Sequence, residues 1–219
     1  MPLRHEPDVS AADWFTDRAE PWAQLCSLGP RGFAAYARLL HPARQGDDPQ
    51  EHPEDLAGHL DSEVLRFLTG ILARHTSTPE DCLFGLWDGF GDLHGSPAVA
   101  PLVFGGGRLS SHRAPPRISP AFPPEVLAGP RVRIPARDYL LFRGPLRLAG
   151  EWGAADLLPQ QPRPINSPNL IWPADHAWFV ATEIDSPWTG IGGTDELIGE
   201  VAGEPALGVE RVDPATMRA

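Results

Sequence analysis

Glu183 and Asp185 stand two residues apart, and His176 precedes them by seven and nine positions. In an extended segment, residues i and i+2 share one face about 7 Å apart. Two carboxylates so placed can divide acid and base roles or hold a divalent cation. Trp172 and Trp188 bracket them beside Pro173 and Pro187, and tryptophan is an amphipathic side chain suited to a pocket rim. One chemistry these residues allow is a hydrolase or metal-assisted enzyme, with Glu183 and Asp185 as its carboxylates and His176 assisting. The competing reading places the carboxylates at the wet end of a core strand. Trp172, His176, Glu183, Asp185 and Trp188 then form an aromatic-acidic surface that binds a partner protein or small ligand without catalysis.

Other catalytic patterns are incomplete. Gly190, Gly192 and Gly193 precede Thr194, but no Gly-Lys-Ser/Thr follows and dinucleotide spacing fails. Asp195 and Glu196 would repel an anion there, so the glycines read as a strand-to-helix turn. No Gly-x-Ser-x-Gly elbow exists. His41, His75, His94 and His176 are scattered, and no His-x-x-x-His pair falls in an expected helix, so neither a metal nor another cofactor is expected. Eight arginines lie between Arg108 and Arg147 against Glu125 and Asp138. Arg131, Arg133 and Arg137 could therefore bind an anion. The alternative is that this basic stretch faces the acidic ones, Gln45–Glu63 and Glu183–Asp213, inside one fold or across a homodimer.

The formal net charge of −11 opposes non-specific nucleic-acid binding. All 18 basic residues are arginine, and Asn166 and Asn169 are the only asparagines, as in a GC-rich bacterial genome. Cys26 and Cys82 are too few for a disulfide framework. The first thirty residues lack the apolar stretch of a secretory signal, and no apolar run of about 18 residues exists to span a membrane. The expectation is a cytoplasmic protein with reduced, buried thiols.

These side chains need elements to position them. The clearest helix is Leu60–His75, where Leu60, Val64, Phe67, Leu68, Ile71 and Leu72 form one stripe, with Asp61 or Ser62 as cap. A helix from Ser10 carries Trp14 and Phe15 and is interrupted at Pro21, and Thr194 caps another. Strands are expected over Gly32–Pro42, Cys82–Asp88, Arg131–Ile134, Asp138–Arg143, Trp178–Asp185 and Leu207–Val212. Pro145–Leu158 reads as one short helix and Gln160–Pro173 as a proline-locked extended approach. Asp92–Pro130 reads as a long irregular loop or flap, with a short edge strand over Pro101–Phe104. Residues 1–9 and 213–219 are expected to fray. With 26 prolines and 22 glycines in 219 residues, long loops follow. The pattern predicts a single α+β domain with a mainly antiparallel sheet of about six strands and three or four helices.

The segments Gly32–Pro42, Cys82–Gly91 and Ser167–Thr194 resemble a family of actinobacterial proteins of unknown function, over most of the chain. The resemblance implies no activity and no catalytic residue. With no complete catalytic motif, the sequence favours the non-enzymatic binding module.

Overall fold

Several segments are apolar at nearly every position, and side chains alternate faces along a strand, so a sheet made of them must be covered on both sides. A computed structural model, describing residues 2–41, 58–95, 119–157, 160–163 and 165–213, has this arrangement. Its strands are β1 (Arg4–His5), β2 (Ala35–Leu40), β3 (Cys82–Trp87), β4 (Val132–Ile134) and β5 (Arg137–Gly144), then β6 (Leu170–Pro173), β7 (Phe179–Thr182), β8 (Trp188–Gly193) and β9 (Val209–Val212). They form one antiparallel sheet in the order β1-β5-β3-β6-β7-β8-β2-β9, with β4 hairpinned onto β5.

One face carries Leu83, Tyr139, Leu141, Leu170, Trp172, Phe179 and Ala181. It is covered by Phe15 of α1 (Asp13–Thr16) and by Leu25 and Cys26 of α2 (Trp22–Leu28). The other face carries Phe84, Leu86, Leu140, Phe142, Ile171, Val180 and Ile191. Against it pack α3 (Ser62–Leu72), through Leu65, Leu68, Ile71 and Leu72, and α5 (Asp195–Gly203), through Leu197, Ile198 and Val201. Val126 of the single-turn α4 (Pro124–Leu127) joins this second core. The result is three layers, helix on sheet on helix, of α+β class.

Capping follows the sequence. The Asp61 carboxylate accepts the Glu63 amide at 2.8 Å, and Thr194 Oγ1 accepts the Leu197 amide at 3.1 Å. Each such cap contributes about 1 kcal/mol. At the N-terminus the expected cap moves: Asp8 accepts from Ser10, which lies inside a 3-10 turn over Val9–Ala12. The break at Pro21 separates α1 from α2.

Among the described residues nine strands stand where about six were expected, for three physical reasons. Arg4–His5, expected to fray, pairs with Arg143 and Phe142 at the edge of β5. The proline-locked approach ends as β6, whose four residues are all buried between β3 and β7. The glycines expected to form a turn lie in β8, between β7 and β2. A Cβ on Gly190 would sit 2.0 Å from the Ser27 carbonyl oxygen and 2.7 Å from Leu28 Cα. Glycine there lets the C-terminal end of α2 lie directly on the sheet, which any side chain would prevent. Pro145–Leu158 holds only a 3-10 turn over Leu146–Leu148. Most of the expected flap, with the Pro101–Phe104 strand, and the tail from 214 fall outside the described residues.

Gly190→Ala is therefore expected to cost about 1–3 kcal/mol by overpacking against backbone. Gly70→Ala, where an added Cβ meets nothing within 4 Å on the exposed side of α3, should stabilise by up to about 1 kcal/mol. Urea unfolding of the two variants measures the contrast.

Candidate functional site

Antiparallel pairing brings the C-terminal ends of β3, β7 and β2 together with the N-terminal ends of β5, β6 and β8. Trp87, Glu183, Arg137, Asn169 and Trp188 thus converge on one end of the sheet. The alternation expected for Trp178–Asp185 holds over Trp178–Ala181, where Trp178 and Val180 enter one core and Phe179 and Ala181 the other; Glu183 and Asp185 lie beyond the strand. The regular strand stops at Thr182, because the Thr182 amide bonds the Asn169 carbonyl at 2.7 Å and the chain turns at Glu183–Ser186.

Glu183 points toward α2 and meets Arg137, from the start of β5. Arg137 Nε and Nη2 both donate to Glu183 Oε1, at 3.2 and 2.5 Å, and Nη2 also reaches Asp185 Oδ2 at 3.1 Å. The Glu183 side chain is only 9% exposed and that of Asp185 is 80% exposed, so one carboxylate is interior and the other solvated. The Arg137 guanidinium carbon also lies 5.6 Å from the Trp22 ring centre and 5.7 Å from that of Trp87. Hydrogen bonding to Glu183 raises the Arg137 pKa above its ordinary value, with burial acting in opposition. An open cavity of about 460 Å³ lies alongside, lined by Trp87, Asp88, Gly89, Ala136, Arg137 and Asp138.

Beneath this group the Tyr139 hydroxyl donates to Cys26 Sγ at 3.6 Å. Burial is the main cause that pushes the Cys26 thiol up to about 11, and that of Cys82 up to about 12. Neither is a thiolate near neutral pH, as a nucleophilic cysteine would need to be.

The structure separates the sequence-chosen residues into three groups. Glu183 and Asp185 share Arg137. Trp188 lies nearby on the same face, under the Arg38 guanidinium at 5.4 Å, and is half-buried. Trp172 is fully buried and stacks on Phe179 at 5.7 Å, so it packs the core and rims no pocket. His176 sits in the β6–β7 turn, at the opposite end of β7 from Glu183. The four residues of β7 lie between, and these alone span roughly 13 Å. The expected His176–Glu183–Asp185 set is therefore not assembled, and among the described residues no three His, Cys, Asp or Glu side chains come together as a metal would require. His176 instead stacks on Trp14 at 4.3 Å, with φ of 56°, while Asp175 accepts from Thr76 Oγ1 and from the amide and hydroxyl of Ser77.

The described arginines of the basic stretch are likewise engaged within the chain. Arg131 Nε lies 3.0 Å from Asp88, and its other nitrogens meet the carbonyls of Leu127 and Gly129. Arg143 forks onto Asp81 at 2.6 and 2.7 Å, and Arg147 meets Glu80. Arg133 is exposed and faces Asp138 across the hairpin. Arg131, Arg133 and Arg137 thus form no shared positive groove: two are neutralised by carboxylates and the third faces one.

Comparison of the chain with protein-family models, with curated proteins and with solved structures returns no match.

Sequence reasoning missed Trp22 and Trp87, the two rings against Arg137. By position Trp22 reads with Leu25 as part of the apolar face of α2, but only Leu25 is buried. Trp22 remains 42% exposed. Trp87 gave no signal, since its neighbour Arg137 becomes adjacent only through the β3–β5 register. Asn169 was also missed as a fully buried tie: its Oδ1 accepts the Trp87 amide at 2.9 Å and its Nδ2 donates to the Thr182 carbonyl at 3.1 Å.

Burial lowers the His176 pKa from its ordinary value of 6.5, against the raising effect of Asp175. The folded state thus holds His176 neutral where the unfolded chain takes a proton. Its contribution to stability is complete above about pH 6.5 and is lost as pH falls through the depressed folded value. NMR titration should place His176 below 6.5, and His176→Gln should flatten stability against pH in that interval.

Proposed function

We propose that this protein is a cytoplasmic, non-enzymatic binding module. Its contact surface is the end of the sheet where Trp22, Trp87 and Trp188 stand beside Arg137 and Asp185, and its partner is a basic protein segment. The observation that carries this reading is the exposed Trp22 ring, held against an arginine whose charge Glu183 already cancels. An indole fixed in place and left 42% exposed offers large contact area at small cost in lost rotamer freedom. Asp185 and Asp138 are exposed around it, and the net charge of −11 steers encounter toward cationic partners.

Three further features support binding over catalysis. His176 lies far from the paired carboxylates. The Thr189 hydroxyl, which lies 2.9 Å from His41 Nε2, is fully buried and closed to a substrate. Cys26 and Cys82 are buried and unpaired, in keeping with a reducing compartment. Among the described residues no helix is long and apolar enough to cross a membrane.

The test compares Trp22→Ala and Asp185→Arg with the control Phe67→Ala, which removes an exposed ring on the far side of the sheet. The site variants should lose partner retention at least about tenfold, as hot-spot truncation does. Their Tm should stay within about 2 °C of the parent, since each change is at the surface. Equal retention by the parent and both site variants, or loss only in step with unfolding, would remove this reading.

A further inference from the structure

Arg137 meets Glu183 in an unusual way. Both of its donors, Nε and Nη2, converge on Oε1, and Oε2 is buried with no hydrogen-bond partner among the described residues. A guanidinium and a carboxylate that are free to align form two parallel bonds, one to each oxygen. Arg137 cannot do so while tethered at the start of β5, where its remaining nitrogen, Nη1, donates to the neighbouring Ala136 carbonyl at 3.0 Å. A carboxylate side chain nine-tenths buried is thus left with one oxygen unmet.

The surroundings are those of a cation-binding cage. Two indole rings lie within 6 Å of the guanidinium carbon, the range in which a ring face attracts a cation. Two carboxylates, Glu183 and Asp185, face the same charge. The adjoining cavity of about 460 Å³ has room for the Arg137 side chain to leave and for another to approach. Arg137 follows Ala136, whose φ of 66° marks the tip of the β4–β5 hairpin, so only the hairpin end need give way.

We propose that Arg137 is a resident occupant of a cage formed by Trp22, Trp87, Glu183 and Asp185, displaced by the guanidinium of an arginine in the partner. The incoming group approaches untethered and bonds both oxygens of Glu183. The protein's own arginine then acts as a self-made competitor, lowering affinity by the fraction of time it fills the cage. This rests on the reading of the surface as a docking site and specifies which partner side chain it takes.

Methylguanidinium is the probe, at concentrations far below its denaturing range and with sodium at matched ionic strength as control. In Arg137→Ala the cage is empty. This variant should bind methylguanidinium at least about tenfold tighter than the parent, by quenching of tryptophan fluorescence, with a saturable rise in Tm. Methylammonium, which lacks the planar fork, should bind more weakly. Adding Glu183→Gln to Arg137→Ala should abolish the effect. Equal affinity of Arg137→Ala and the parent, or binding that survives Glu183→Gln, overturns the proposal. Should Arg137→Ala not stay folded, its refolding yield in methylguanidinium replaces the titration: recovery above the sodium control supports the cage, and no recovery overturns it. Trp22→Ala losing the partner while Arg137→Ala fails to bind methylguanidinium would remove the cage alone and leave the docking surface standing.

Discussion

An ion pair interred at one end of the sheet, Arg137 with Glu183, decides what that end of the molecule can be. In strand order the two residues are separated by β3 and β6. At a strand spacing of about 4.8 Å, the pair bridges roughly 14 Å over the ends of two intervening strands. It ties the hairpin edge of the sheet to the β7–β8 corner, and it gives Trp22 and Trp87 a cation to lie against. Such a pair is costly to break from the arginine side, because Glu183 without Arg137 would be a buried, unpaired charge, whereas Arg137 is part-buried and also meets Asp185. The helix layer over that face has a second constraint, Gly190 of β8, which lets the C-terminal end of α2 lie directly on the sheet.

The same pair explains why the residues most suggestive of chemistry do not assemble as a catalytic site. Glu183 is occupied by a cation from within the chain, Asp185 is solvated, and His176 is spent on Trp14 at the far end of β7. Charge distribution follows the same logic on a larger scale. Among the described residues of the arginine-rich stretch, Arg131, Arg137, Arg143 and Arg147 meet acids from Glu80–Asp88 and from Glu183–Asp185 within one fold. Around the pair, the exposed groups are Trp22 and Asp185, which suits a binding module and a cationic partner.

Much of the fold was legible because it rests on local signals. The Thr194 cap, the break at Pro21, the alternation over Trp178–Ala181 and most of the α3 stripe carry through to the structure; Phe67, expected in that stripe, instead lies 44% exposed beside Arg66, and Leu65 is buried. The strands that were missed have no local signature. Arg4–His5 is a strand only because β5 offers an edge, Leu170–Pro173 because β3 and β7 enclose it, and Trp188–Gly193 because glycine is needed beneath α2. The site was legible by half. Spacing placed Glu183 and Asp185 on a common face, and composition marked the arginine stretch as needing acidic partners. Which arginine meets which carboxylate depends on strand order, and strand order is a long-range property. Trp172 was misplaced for a related reason: a loop tryptophan beside proline and a buried strand tryptophan look alike until the neighbouring strands are known.

The central claim is that Arg137 and Glu183 form one buried, strongly coupled unit on which the aromatic surface is built. A double-mutant cycle tests it most directly, using urea unfolding of Arg137→Ala, Glu183→Ala and the double variant. A coupling energy of about 2 kcal/mol or more, with the double variant more stable than the sum of the single losses implies, is the predicted result. A coupling below about 0.5 kcal/mol, the range of exposed ion pairs, would contradict the account.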